Sequence, residues 1–276
     1  MAQNLGRGGW LSASGVPEDR WPHIAAGIKE VGPDLLFLQE AEGWAANGHA
    51  RLIRAERDLD MDGHLAPSPS GLGPATLYRR SALGRRVYQN HDYGHETHHG
   101  FEVLGWDVGL PALLTAGSVH LTPYSSRRAE DEVAFVGSRV QRAGGGYAIL
   151  GGDFNYPPVG GPEPRYEAMR PYNRGKRLVL ADPAAPGPDT PDRSVAWRIA
   201  RHGFVDVAWH LHQQTGDDAL LQRTGTDDRI DWILVSYALA PCIVDYGVVR
   251  GASDHAGVWA RLDLDRAATD NVWEYR

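Results

Sequence analysis

One stretch of the sequence decides the fold: Tyr147-Ala148-Ile149-Leu150-Gly151-Gly152-Asp153-Phe154-Asn155. The apolar run at its start predicts a short buried strand, and two glycines then lead to a carboxylate and a carboxamide. Ligand-binding and catalytic groups of layered α/β proteins commonly lie at the carboxyl ends of strands. Glycine, aspartate and asparagine are also ordinary turn formers, so this stretch is only suggestive by itself.

The same pattern recurs along almost the whole chain. Acids, amides or imidazoles close or interrupt apolar runs at Asn4, Glu40, His120, Asp231, Asp254 and His255. Each of these residues also has an ordinary structural explanation, such as a turn cap or a buried polar group satisfied by backbone. Their recurrence at the ends of successive predicted strands favours a shared functional site.

Read in order, the segments LQE (38–40), HL (120–121), GDFN (152–155), ID (230–231) and SDH (253–255) resemble the signature blocks of the endonuclease/exonuclease/phosphatase superfamily. This superfamily includes deoxyribonucleases, abasic-site endonucleases and inositol-polyphosphate phosphatases. The resemblance implies an α/β fold, a four-layer α/β/β/α sandwich of two mixed sheets with outer helices. We therefore expect one domain over residues 1–276.

The resemblance also implies roles for the matching residues. Glu40, Asn4 and Asp254 are similar to the metal-side residues of the family, and Asp153 to the residue that orients or deprotonates the attacking water. Asn155 is similar to the amide that holds a phosphate oxygen. His255 is similar to the histidine that faces the phosphate, and Asp231 to the carboxylate that orients this histidine. His120 is similar to a histidine of the deoxyribonuclease-like and phosphatase-like branches.

The chemistry of these residue types points to a hard metal ion. Carboxylates gathered in one site need a cation or protons to offset their charge. Oxygen ligands without cysteine favour Mg²⁺ or Mn²⁺ over zinc. Such an ion neutralises charge on a phosphate and on its leaving oxygen, which suits phosphoester cleavage.

Composition sets further bounds. The net charge of −7 counts mildly against a protein that holds duplex nucleic acid through phosphate contacts alone. A single cysteine, Cys242, excludes an internal disulfide and fits a reducing compartment. No apolar run approaches the roughly 18 residues of a membrane span. We expect a soluble, cytoplasmic protein without membrane contact, and a monomer.

The pattern of apolar residues predicts helices over residues 17–31 and 127–142, and strands over 34–39, 149–150 and 230–235. Only three residues precede Asn4, fewer than the five or six of an ordinary strand. Either the first strand is abbreviated or Met1 is not the natural start.

Two other segments carry clustered functional groups. Residues 165–177 hold basic and aromatic side chains, and we predict substrate contacts for Arg170, Tyr172, Arg174 and Arg177, with a solvated surface as the alternative. Residues 95–99 contain His95, His98 and His99, which resemble a metal-binding tract. Because no closing ligand is visible, we predict an exposed loop there.

Three functions remain in competition. The first is a metal-dependent phosphodiesterase, a nuclease that attacks DNA, RNA or a nucleotide-like substrate in line with an activated water. The second is a phosphatase or phosphodiesterase of a small metabolite such as a sugar, inositol or nucleotide phosphate. The third is a noncatalytic binding protein on the same fold, which would have no need of the intact polar set.

Overall fold

The computed structural model describes residues 1–185 and 187–270, and these form two six-stranded sheets. In chain order the strands are β1 (Ala2–Asn4), β2 (Leu35–Gln39), β3 (Asp62–Leu65), β4 (Ala75–Tyr78), β5 (Arg86–Asn90), β6 (Val103–Trp106), β7 (Leu114–His120), β8 (Ala148–Asp153), β9 (Phe204–Asp206), β10 (Asp231–Ser236), β11 (Ile243–Val249) and β12 (Gly257–Leu262). The helices are α1 (Trp21–Val31), α2 (Ala46–Leu59), α3 (Arg80–Leu83), α4 (Ser126–Gly144), α5 (Pro171–Arg177), α6 (Ser194–Arg201) and α7 (Val207–Thr215).

Each sheet is built around a central pair of parallel strands. The first sheet has the order β11-β12-β1-β2-β4-β3 and the second β5-β6-β7-β8-β10-β9. Strands β1 and β2 are parallel, as are β7 and β8, and every other neighbouring pair is antiparallel. Since parallel strands end at the same edge, the polar residues that close these four strands are brought to one side of the molecule.

The two sheets pack face to face through an apolar layer. Phe37 of β2 approaches β8 so closely that a Cβ on Gly151 would lie 2.3 Å from its ring. A glycine is therefore required at this crossing. The outer face of the second sheet packs against α4, through Val133 and Val136, and the outer face of the first against α1 and α2. These layers confirm the α/β/β/α sandwich predicted from the sequence.

The predicted elements are found with small differences at their ends. Helix α1 begins at Trp21, not at residue 17, because Pro17 lies in a bridge with Leu11. Helix α4 is longer than predicted, and Ser125 caps it by accepting a hydrogen bond from Arg128 N. Strand β1 has three residues, Ala2–Asn4. Within the two described ranges, no helix is long and apolar enough to cross a membrane.

Candidate active site

The predicted catalytic and metal residues lie together at one edge of the sandwich. Strand register explains part of this: His120 pairs with Asp153 across β7 and β8, and Asp153 pairs with Asp231 across β8 and β10. Hydrogen bonds and close contacts connect the whole set, which is Asn4, Glu40, His120, Asp153, Asn155, Asp231, Asp254 and His255. The polar residues at the strand ends of both sheets therefore form a single cluster.

Asn4 joins the two sheets within this cluster. Its Nδ2 donates to Glu40 Oε1 at 3.3 Å and to Asp153 Oδ2 at 3.1 Å, while its Oδ1 accepts from Gly6 N at 2.9 Å. Asn4 is fully buried, so these bonds are not shared with solvent. The carboxamide thus holds two carboxylates of different sheets at a fixed spacing.

Glu40 and Asp254 border the same turn, residues 6–9. The backbone N–H of Arg7 donates to Glu40 Oε2 at 2.8 Å. On the other side, a Cβ on Gly6 would lie 2.8 Å from Asp254 Oδ1, and Gly6 has a φ of +57° that favours glycine. Glu40 has a φ of +57°, a conformation that non-glycine residues rarely adopt and that clusters at functional sites. The two predicted metal carboxylates lie on the same face of the domain.

Asp153 lies at the centre of the cluster. Its Oδ1 accepts the backbone N–H of Asn155 at 2.8 Å, and its Oδ2 lies 3.8 Å from His120 Nε2 and 3.9 Å from His255 Nε2. Asn155 has a φ of +62°, and its Nδ2 donates to the carbonyl of Leu121 at 3.0 Å. Because an amide nitrogen has two hydrogens, one donor of Asn155 is left for a ligand.

Asp231 and His255 form the predicted pair. His255 Nδ1 lies 2.9 Å from Asp231 Oδ2 and 3.1 Å from Oδ1. Asp231 is 1% exposed. Burial alone would lower the pKa of His255, but the carboxylates of Asp231 and Asp153 oppose it and raise that pKa to about 10. With Nδ1 donating to Asp231, the ring directs Nε2 toward Asp153 and the open part of the site.

The prediction of an exposed loop over residues 95–99 is wrong for its second half. Thr97 and His99 are buried, and the ring of His99 stacks on that of His120 with centroids 3.8 Å apart and planes at 6°. Only His95 and Glu96 are exposed. The segment lacks a periodic apolar pattern, so nothing in its sequence marked His99 as a neighbour of the site.

The structure exposes some side chains of the basic segment, residues 165–177, and buries or pairs others. Arg170 and Tyr172 are exposed, and Arg170 donates to the Tyr172 hydroxyl. Arg174 is bound to Asp189 and to the carbonyl of Tyr166, and Arg177 is buried. Lys176, which the sequence argument passed over, is half-buried on the same helix. Burial lowers its pKa to about 8, and Asp153 is among the charges that act on it. Asn173 of helix α5 also donates to Asp227 at 3.2 Å, so the helix contacts the loop that leads into β10.

The donor set fits a hard divalent ion. In residues 1–185 and 187–270, no side-chain nitrogen of a lysine or arginine lies within 4.0 Å of the carboxylates of Glu40, Asp153, Asp231 or Asp254. Glu40 and Asp254 offer oxygen only, as Mg²⁺ and Mn²⁺ prefer. Asp153, Asp231 and His255 also place ligand atoms within 4.8 Å of one another. In that group, Asp231 and His255 Nδ1 already satisfy each other.

Comparison with known proteins agrees with this geometry. The model of the Endonuclease/Exonuclease/phosphatase family matches residues 4–255. No curated protein matches the chain significantly. The endonuclease domain of TRAS1, a telomere-specific non-LTR retrotransposon, is 14% identical with a TM-score of 0.58, covering 95% of this chain and 96% of that one.

Two bacterial structures are also similar. An endonuclease/exonuclease/phosphatase protein of Beutenbergia cavernae is 18% identical with a TM-score of 0.57, covering 95% of this chain and 70% of that one. The 3' phosphatase NExo of Neisseria, bound to a product DNA hairpin, is 19% identical with a TM-score of 0.58, covering 88% and 94%. At these identities the similarity shows a shared fold.

Proposed function

The chain belongs to the endonuclease/exonuclease/phosphatase family, whose members are hydrolases of phosphoester bonds, and we propose that it is a divalent-metal-dependent phosphodiesterase that cleaves DNA, RNA or a nucleotide-like substrate. The observation that carries this proposal is the position of Asp153, which contacts Asn4, His120 and His255 at once. One carboxylate thereby contacts both Asn4, which lies beside the predicted metal ligand Glu40, and the two histidines.

Asp153 is the group that orients and deprotonates the attacking water in this proposal. Its Oδ1 is held by the backbone of Asn155, and its Oδ2 points into the space between the two histidines. A general base must lie within hydrogen-bond reach of the proton that it takes, and the proposal places the attacking water against Oδ2. Its 2% exposure keeps bulk water away from it.

His255 is the charged donor to the phosphate. Asp231 holds its Nδ1 hydrogen, which fixes the tautomer and favours the imidazolium. Nε2 then donates to a phosphate oxygen as negative charge develops there, together with the free amide hydrogen of Asn155. Donors that are already oriented need no reorganisation during the reaction, which is how such groups lower a barrier.

Glu40 and Asp254 would hold the divalent ion, with Asn4 beside them. A bound Mg²⁺ or Mn²⁺ supplies charge neutralisation on the phosphate and the leaving oxygen. Asn4 would keep Glu40 at a constant distance from Asp153, because the same Nδ2 donates to both. The spacing between the ion and the water-activating carboxylate is then set by one amide.

A nucleic-acid substrate is favoured by the exposed side chains at the start of helix α5. Arg170 and Tyr172 are exposed on this segment, where an arginine can meet a phosphate and an aromatic ring can stack on a base. Two of the similar structures bear on this choice: TRAS1 has an endonuclease domain, and NExo is bound to product DNA.

A small phosphate ester is the second candidate. The net charge of −7 and the pairing of Arg174 with Asp189 leave little positive charge for a long polyanion. A panel of substrates with Mg²⁺ or Mn²⁺ separates the two: single- and double-stranded DNA, RNA, bis-p-nitrophenyl phosphate and small phosphomonoesters. Higher kcat/KM on oligonucleotides supports the nuclease, and higher kcat/KM on a monoester supports the phosphatase. No hydrolysis of any of them would leave a noncatalytic binding protein.

A further inference from the structure

The two histidines that face Asp153 are held in different ways. His255 has the carboxylate of Asp231 on its Nδ1, whereas His120 Nδ1 is buried without a hydrogen-bond partner among the described residues. The Nε2 atom of His120 lies 3.8 Å from Asp153 Oδ2, too far for a hydrogen bond. No hydrogen bond in the described part of the chain therefore sets the rotation of the His120 ring.

The ring of His120 lies instead against the flat face of His99. The two ring centroids are 3.8 Å apart and the planes differ by only 6°. Both residues are buried, at 2% exposure for His99 and 5% for His120. A flat neighbour at this distance permits sliding but blocks rotation of the His120 ring out of its plane.

His99 itself is anchored by a neighbouring loop. Its Nδ1 lies 2.8 Å from the hydroxyl of Ser70, which also accepts the backbone N–H of Leu72 at 3.2 Å. The residue after His99 is Gly100, with a φ of +90°, and a Cβ there would lie 2.0 Å from the carbonyl oxygen of Pro67. The two loops are therefore in tight contact, and the ring of His99 has a fixed support behind it.

The ionisation of the His99 ring also affects this stack. Burial lowers the pKa of His99 to about 2, and the nearby His120 adds to this. The neutral form of the His99 ring is therefore favoured. A neutral ring presents its negative π face to its neighbour, so it tolerates a positive charge on His120 where a second imidazolium would not.

We infer that His99 is a positioning residue for the reaction, holding the imidazole of His120 by stacking so that Nε2 faces Asp153 and the phosphate. This inference rests on the proposed function for its catalytic consequence. It adds a residue from outside the strand-end cluster, with Ser70 as its anchor. Stacking orients the ring of His120, as the hydrogen bond to Asp231 orients the ring of His255.

The test compares two replacements of His99 that differ in shape. His99→Phe keeps a flat aromatic face, and His99→Leu fills the space without one. With bis-p-nitrophenyl phosphate and Mg²⁺, we expect His99→Leu to lower kcat by about 10- to 100-fold, as for a misplaced catalytic group, with KM little changed. His99→Phe should recover most of the lost kcat. His95→Leu, at an exposed position of the same loop, is the control and should match the wild type.

A double variant shows whether His99 acts through His120. If it does, His99→Leu should cost little more in a His120→Ala background, since residues that act as a unit are not additive. An equal loss of kcat in both backgrounds would mean that His99 acts by another route, and would overturn the inference. So would a loss in His99→Phe as large as that in His99→Leu.

The ring of His120 can also be observed without any activity. In NMR spectra, stacking on His99 should shift the His120 ring protons upfield, and His99→Leu should remove that shift while His99→Phe retains it. Unchanged His120 ring resonances in His99→Leu would contradict the inference. Absence of hydrolysis by the wild type would instead contradict the proposed function, so the two failures are distinguishable.

Discussion

His255 Nδ1 lies 2.9 Å from Asp231 Oδ2, although the two residues are 24 positions apart in the chain. Asp231 begins β10 and His255 lies in the loop before β12, so strands of different sheets supply the two halves of the pair. The family resemblance implied this pairing, and the structure confirms the contact. The catalytic consequence of the pair leads to the first prediction.

Asp231→Asn should lower turnover by about 10²–10⁴, because it keeps the shape but removes the charge that fixes the imidazolium. Metal affinity should stay the same, since Asp231 is not a metal ligand in this proposal. His255→Ala should cost at least as much, and the double variant little more than the worse single one. Steady-state kinetics and calorimetry of Mn²⁺ binding give the two readouts.

A suitable control for that series is Asp245→Asn. Asp245 pairs with Arg261 at the surface and should show wild-type turnover. Fully additive losses in the Asp231→Asn/His255→Ala double variant would show that the two residues do not act together.

Glu40→Gln should weaken Mg²⁺ or Mn²⁺ binding by at least about tenfold, since losing even an outer partner of a metal ligand costs about 10- to 100-fold. The matched control is Glu42→Gln, two residues along, because Glu42 is paired with Arg7 at 3.0 Å and is not part of the site. Isothermal titration calorimetry measures both. Equal affinities for the two variants would remove Glu40 from the metal site.

Replacing Arg170 and Arg174 with alanine should raise KM for oligonucleotides and flatten its salt dependence, by about 0.7 in the log–log slope per lost contact with a single strand. Turnover of a small phosphodiester should not change. Arg177 is left intact because it is buried, so its removal would disturb packing. Arg201→Ala, on the outer helix α6, is the control for loss of positive charge elsewhere on the surface. Equal losses on both substrates would assign the segment to the fold.

Glu102 gives a prediction about stability. Burial raises the pKa of this carboxyl to about 7. Between its unfolded value of about 4.5 and 7, the unfolded state binds fewer protons than the folded state, so stability falls as pH rises through this window. Glu102→Gln should raise the free energy of unfolding at pH 8 by on the order of 2 kcal/mol, with little effect near pH 4.5. Urea denaturation of both proteins at pH 8 and pH 4.5 measures this effect. An equal difference in the free energy of unfolding at the two pH values would contradict the prediction.

The sequence predicted the strand-end residues in two steps. Apolar runs predicted buried strands, and the motifs at their ends resembled those of one family, which implied that Asn4, His120 and Asp153 share a site. Glu40 and Asp254 followed from the order of the motifs, and the structure places both at the turn of residues 6–9.

Other parts of the site depend on tertiary packing that no local pattern carries. His99 is buried because Gly100 packs against the carbonyl of Pro67, a contact between distant loops. Arg177 is enclosed by its surroundings although its sequence context is that of a basic surface segment. The double donation by Asn4 likewise depends on how closely the two sheets approach, which composition and periodicity do not determine.

The most direct test of the account is the hydrolysis of bis-p-nitrophenyl phosphate with and without excess EDTA. The proposed function predicts that the chelator abolishes turnover and that added Mg²⁺ or Mn²⁺ in excess restores it, because Glu40 and Asp254 would hold the ion on which the chemistry depends. Turnover that continues unchanged in excess chelator would contradict a divalent-metal-dependent phosphodiesterase.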